Sequence, residues 1–176
     1  MDFIACGASS LQDLLDAREE RWRRRLELSR RGTLLTLTLN MPGPDKSLPR
    51  WLEFYSAVRD DIFAATDWGG FVHAFSGGGP AGPEDHFLFP VSSDAKEIKR
   101  AAVDFEERYP ARRLIDLDVM AFGGEPVDRD MLALPLRACL CCPRPAKECA
   151  ALARHPADEV MKAAERLLDA FEDISR

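Results

Sequence analysis

An α+β fold is predicted from three features of the 176-residue chain. Arg113 to Phe122 alternates cleanly between two side-chain characters, and Thr33 to Leu39 is a run of β-branched residues and leucines. Amphipathic stretches of helical period separate the apolar runs. The length suits one compact domain spanning residues 1–176, and 46% hydrophobic residues suffice for a core.

The elements follow in order. Ser9 and Ser10 can cap a helix running to about Arg31, with Leu11, Leu14, Leu15, Trp22 and Leu26 as its apolar stripe. The strand Thr33 to Leu39 ends in Asn40-Met41-Pro42-Gly43-Pro44-Asp45-Lys46, where prolines around a glycine force a shaped loop. Leu48 to about Thr66 reads as a helix, Gly70 to Ser76 as a strand, residues 77–83 as a glycine-rich turn, and His86 to Val91 as another strand. A helix from Ser93 to about Arg108 turns Ile98, Ala101, Ala102 and Phe105 inward, and Tyr109-Pro110 closes it. In the strand Arg113 to Phe122, Leu114, Asp116, Asp118 and Met120 share one face, and Ile115, Leu117 and Val119 the other. The last helix, Pro156 to Phe171, buries Val160, Ala164, Leu167, Leu168 and Phe171. Without the first helix and the C-terminal helices, the order is β-α-β-β-α-β, the ferredoxin-like split pattern.

Twenty-four basic against thirty acidic residues give a net charge of −6, which argues against a nucleic-acid binder held by a general positive field. No apolar run reaches the roughly 18–20 residues a membrane span needs, and the first residues lack a basic stretch followed by an apolar one. A cytoplasmic protein with neither nucleic-acid nor membrane partners is expected. The segment 18–31 inverts the overall charge, with seven arginines against three glutamates. It reads as a solvated helix face, or as a surface that meets an anion.

Three constellations could carry chemistry. Asp116 and Asp118, two apart on a strand, place their carboxylates on one side, about 6–7 Å apart at Cβ, where one divalent cation can take an oxygen from each. Otherwise they are a solvent-facing edge. Asp104 and Glu106 on the preceding helix read as solvated, with a third carboxylate ligand as the alternative. Cys139, Cys142, Cys149 and His155 have spacing compatible with a tetrahedral Cys3His zinc site; the competing reading is small thiols packing a loop against the last helix. Finally, Arg18, Arg21, Lys46 and Lys99, with the loops 40–46 and 76–84, could meet phosphate oxygens. No P-loop or Rossmann signature occurs.

In order along the chain, several segments resemble a known family. They are Arg18-Glu19-Glu20-Arg21, Pro42-Gly43-Pro44-Asp45-Lys46, Gly82-Pro83-Glu84, Lys99, Arg113-Leu114-Ile115-Asp116-Leu117-Asp118-Val119, and Leu134-Pro135-Leu136-Arg137-Ala138-Cys139 continuing to Cys149 and His155. Together they resemble the apo-citrate lyase phosphoribosyl-dephospho-CoA transferases (CitX). Three departures stand out: Arg112 where the family usually has glycine, Ile115 where it often has an aromatic, and Ala151 where it often has arginine.

The resemblance implies transfer of the prosthetic group from 2′-(5″-triphosphoribosyl)-3′-dephospho-CoA to a serine of the citrate lyase acyl carrier subunit, with release of diphosphate. It further implies Asp116 and Asp118 as ligands of Mg²⁺, with Arg113 beside them in a catalytic role. Arg18, Arg21, Gly43, Lys46, Lys99 and Arg137 would bind substrate. Arg23, Arg24 and Arg25 would steer an acidic carrier. Three alternatives stay open: the carrier of malonate decarboxylase, a non-catalytic zinc-stabilised interaction module, and a polymerase-β-like nucleotidyltransferase fold.

Overall fold

The computed structural model describes residues 10–43, 46, 48–65 and 68–174. Pro44, Asp45 and Thr66, and the cap expected at Ser9, lie outside these. The elements are α1 (Leu11–Ser29), β1 (Thr33–Leu39), α2 (Pro49–Ala64), β2 (Val72–Gly77), β3 (Glu84–Phe89), α3 (Ala95–Glu107), β4 (Ile115–Met120), β5 (Pro126–Val127), α4 (Ala146–Ala151) and α5 (Ala157–Ile174). The fold is mixed α/β, built on one five-stranded sheet in the order β2-β3-β1-β4-β5 with every pair antiparallel. No helix among the described residues is long and apolar enough to cross a membrane.

β1 sits at the centre because all seven of its residues are buried and both flanking strands can pair with it. Its alternation divides the sheet. Leu35, Leu37 and Leu39 join Phe87, Phe89, Ile115, Leu117 and Val119 in the main core, beneath Phe54, Val58 and Ile62 of α2 and Ile98, Ala102 and Phe105 of α3. Leu168 of α5 extends this core, and Phe171 meets Phe54 edge-on at 5.0 Å. The strand expected from Arg113 begins two residues later. Pro110–Leu114 forms a 3-10 turn, and Leu114 is buried in the helix-covered core instead of on the aspartate face. β5 and α4 were not anticipated; two and six residues are too short to leave a periodic signal.

The other face carries Leu34, Thr36 and Thr38 of β1, and α1 lies across it. Here the expected stripe of the first helix holds only near its end, where Leu26 packs against an apolar cluster, and fails at Leu11, Leu15 and Trp22. Leu11 and Leu15 stay exposed, and the helix instead turns Arg21, Arg25 and Leu28 towards the sheet. The reason is what lies below. Leu28 meets Leu34, Leu88 and Met120 in a small apolar cluster, whereas further along the sheet the surface is acidic and demands arginine.

One carboxylate is sealed inside the main core. Asp85 is only 1% exposed; it accepts the Tyr55 hydroxyl at 2.7 Å and lies 2.6 Å from Nε2 of His73. Tyr55→Phe removes one of these partners and should cost about 1–3 kcal/mol, read as a lower urea midpoint at unchanged slope. An unchanged midpoint would show that Asp85 does not depend on that bond.

Candidate active site

Pairing register builds the site. Asp116 lies opposite Thr38, which lies opposite Glu84; in the next row on the same face Asp118 lies opposite Thr36, which lies opposite His86. Three carboxylates therefore share a face with two threonines and a histidine. The period-two geometry of strands forces this grouping. Thr36 Oγ1 and Nδ1 of the fully buried His86 are 2.9 Å apart, and His86 Nε2 reaches Glu84 Oε2 at 3.2 Å. Burial holds the His86 imidazolium below its ordinary pKa, so a neutral ring is favoured despite Glu84 beside it.

Positive charge arrives from α1 and from the loop before α4. Arg18, Arg21, Trp22 and Arg25, spaced three, one and three residues apart, share one helical face. Arg21 Nε lies 2.9 Å from Glu84 and Arg25 Nη1 donates to Asp118 Oδ2 at 2.9 Å. Arg24 also pairs with Glu84 and lies over the Phe75 ring. From the opposite side Arg137 bridges Asp116 Oδ1 at 3.2 Å and Glu106 Oε1 at 2.6 Å. Even so paired, Asp116 and Asp118 keep 46% and 43% of their side-chain surface open to solvent. Both face space.

Two cavities meet at this pair. The smaller, about 310 Å³, is lined by Arg18, Arg21, Lys46 and Thr38. The larger, about 470 Å³, is lined by Lys99, Glu106, Arg129 and Arg137. Asp116, Asp118, Arg25 and Trp22 belong to both. Burial, and then the charge of Asp118, push the Asp116 carboxyl up to about 6, against the pull of Arg137. A pair held in this state has unmet demand for positive charge, which suits a divalent cation.

The expected substrate residues divide. Arg18, Arg21, Lys46, Lys99 and Arg137 line the cleft. Lys46 is half-buried, and its ammonium donates to the Leu39 carbonyl at 3.3 Å. Lys99 is buried and donates to the Leu117 carbonyl at 2.7 Å. Gly43 lines neither cavity; its φ of +92° fits a left-handed turn packed against Met161. Arg113 also stands outside the aspartate cleft, its guanidinium donating to the carbonyls of Ala138 and Cys139. The glycine-rich turn presents carbonyls, not amides, to its cation: Arg21 donates to Ala81 and Gly82, and Gly82 (φ +88°) packs directly on Lys46.

Arginine steering of a partner needs correction as well. Arg24 and Arg25 are drawn inward by Glu84 and Asp118, and only Arg23 remains outside, paired with Glu19. Glu106 is not a solvated helix residue. It is 3% exposed, accepts the Leu117 amide at 2.8 Å and binds both Arg129 and Arg137. Asp104 is exposed, as expected. Trp22 and Arg25 are cleft residues that the sequence did not place there, although extending the Arg18/Arg21 face by one turn would have found them; Glu106, expected there only as the alternative third carboxylate, lines the larger cavity.

The four metal-type residues also converge. The ligand atoms of Cys139, Cys142, Cys149 and His155 all lie within 4.8 Å of one another, on α4 and the loops either side of it.

The sequence profile of the CitX family, described as apo-citrate lyase phosphoribosyl-dephospho-CoA transferase, matches residues 9–171. A Streptococcus pyogenes serotype M18 protein named "Probable apo-citrate lyase phosphoribosyl-dephospho-CoA transferase" is 33% identical over 170 residues, covering 93% of this chain and 88% of its own. The apo-citrate lyase phosphoribosyl-dephospho-CoA transferase of Citrobacter koseri is 32% identical over 165 residues, covering 92% and 89%. The Escherichia coli O139:H28 protein of the same name is 29% identical over 166 residues, covering 92% and 90%. A strand-borne aspartate pair ringed by arginines, in a chain matched over nearly its whole length, thus belongs to the apo-citrate lyase phosphoribosyl-dephospho-CoA transferase family.

Proposed function

We propose that the protein attaches the 2′-(5″-phosphoribosyl)-3′-dephospho-CoA group to a serine of the apo-citrate lyase acyl carrier subunit, using the triphosphate precursor and releasing diphosphate. Family membership supports the transfer, and the observation that carries the chemistry is the half-exposed Asp116/Asp118 pair where two cavities join. In this reaction the serine oxygen forms a bond to the innermost phosphorus of the donor as the bond to diphosphate breaks. The site must gather a polyanion and hold the two oxygens in line.

Each aspartate uses one oxygen for its arginine, so the second oxygen of each is the one a cation would take. Asp116 and Asp118 would hold Mg²⁺, which neutralises triphosphate charge and polarises the reacting phosphorus. Arg18, Arg21 and Lys46 line the smaller cavity and suit the departing diphosphate, while Lys99 and Arg137 sit across the carboxylates. Arg113 positions the Arg137 loop through two carbonyls. Trp22 is 46% exposed between the cavities, and its indole face suits stacking by the donor's adenine. The order β2-β3-β1-β4, all antiparallel, supports classing the sheet as a ferredoxin-like split β-α-β-β-α-β unit, with α1, β5 and the C-terminal helices added.

A mass-shift assay tests the reading. Apo carrier, triphosphate donor and Mg²⁺ should yield carrier heavier by the prosthetic group, chelator should stop the reaction, and apo carrier of malonate decarboxylase should be a poor acceptor. The double variant Asp116→Asn, Asp118→Asn should lose at least about 100-fold in rate; full transfer by it would overturn the proposal.

The raised Asp116 pKa sets a pH signature. A carboxyl that titrates near 6 when folded, against its ordinary 3.8, holds its proton more tightly in the native state. Its contribution to stability therefore falls as pH rises from about 4 to 6, and above that range the folded chain carries the full penalty of the second charge. Millimolar Mg²⁺ should accordingly raise Tm clearly at about pH 7.5 and little at about pH 5; equal shifts would place the cation elsewhere. Trp22→Ala should raise KM for the donor on the order of tenfold and leave KM for the carrier unchanged. A change confined to the carrier would assign the indole to the protein partner.

A further inference from the structure

The residues around the cysteine cluster are arranged for a metal, independently of the transfer reaction. Cys139 and Cys142 flank a tight reversal closed by a bridge between Ala138 and Pro145, with the Cys139 amide donating to the Arg144 carbonyl at 2.7 Å. Cys149 comes from α4, which is only six residues long. Ala153, at φ +43°, then turns the chain back so that His155 returns to the same point. An alanine in the left-handed region is uncommon, and here the bend brings an imidazole against three thiols.

Distances favour coordination over packing. Cys142 Sγ is 3.5 Å from Cys149 Sγ and 3.3 Å from His155 Nε2. A tetrahedron with Zn–S near 2.3 Å and Zn–N near 2.0–2.1 Å sets its ligand atoms about 3.6–3.8 Å apart, so small adjustments would admit the ion. Thiols that merely fill space would point at apolar neighbours; these point at each other. A second layer is also in place: the other ring nitrogen of His155 faces Glu159 at 3.6 Å, and the Cys141 amide donates to Cys139 Sγ at 3.5 Å. Cys141 points into a poorer alternative group with His155 and Glu159.

We propose that Cys139, Cys142, Cys149 and His155 bind one structural zinc ion, and that this ion fixes the loop from which Arg137 reaches Asp116 and Glu106. The mechanical link is short. Arg137 is two residues from Cys139, its carbonyl accepts the Ala146 amide at 2.8 Å, and Arg113 grips the Ala138 and Cys139 carbonyls. Leu140 packs against the main core while Leu136 and Leu152 stay exposed, so metal ligation would reinforce a small apolar anchor.

Metal analysis of the full chain, purified without chelator, should find close to one zinc per molecule. Co²⁺ exchanged into the site should give the ligand-field and sulfur charge-transfer bands of tetrahedral thiolate coordination. Cys141→Ser should keep both signals, whereas Cys142→Ser and His155→Ala should lose the metal and lower Tm. The wild-type cobalt spectrum decides the matter even where a variant fails to fold. A natively folded wild-type chain that neither retains zinc nor develops the cobalt bands overturns the proposal, as does a Cys142–Cys149 disulfide in the protein as isolated. Neither readout depends on transferase activity, so this inference can fail while the proposed reaction stands, and the reverse.

Discussion

The structure turns on an arginine-bearing helix laid over an acidic sheet face. Glu84, Asp116 and Asp118 are grouped by strand pairing and would repel one another if left alone. α1 answers with Arg21, Arg24 and Arg25, and Arg137 closes on the group from the far side. Compensation is uneven: Glu84 is buried and doubly paired, whereas each aspartate stays half-open with a single arginine. Glu84 thereby anchors the helix, and Asp116 and Asp118 remain available to a ligand.

A second constraint shapes the larger cavity. β5 pairs only with Val119 and Met120, which leaves the neighbouring part of β4 without a strand beside it. Side chains take over. Glu106 accepts the Leu117 amide, Lys99 donates to the Leu117 carbonyl, and Arg137 donates to the Ile115 carbonyl at 2.7 Å. Buried backbone groups must find partners, and finding them in charged side chains brings a lysine, an arginine and a glutamate to the edge of the aspartate pair. The open sheet edge is thus what makes room for a cleft and supplies its charge.

Much of this was legible in the sequence where one period dominates. The strand Thr33–Leu39 is found at the expected residues, and the alternation around Asp116 and Asp118 correctly placed both on the face opposite Ile115, Leu117 and Val119. The four cysteine and histidine positions come together as their spacing suggested. Hydrophobicity misled where the partner surface is charged: Leu11 and Leu15 looked like the inward stripe of α1, but an acidic sheet face selects arginine. Glu106 looked solvated because its partners, Arg129, Arg137 and the Leu117 amide, are distant in sequence. Gly43 looked like a phosphate-loop glycine, yet its turn meets Met161 of α5, a contact no local pattern announces.

The central claim is that the two β4 carboxylates beneath α1 jointly hold a divalent ion against the donor's phosphates. Crystals grown with Mn²⁺ and a non-hydrolysable triphosphate donor would test it most directly through anomalous scattering. The account predicts a manganese peak within bonding distance of both Asp116 and Asp118, with phosphate oxygens completing its shell. Manganese and phosphates found elsewhere, with Arg25 and Arg137 still closed on the aspartates, would contradict it.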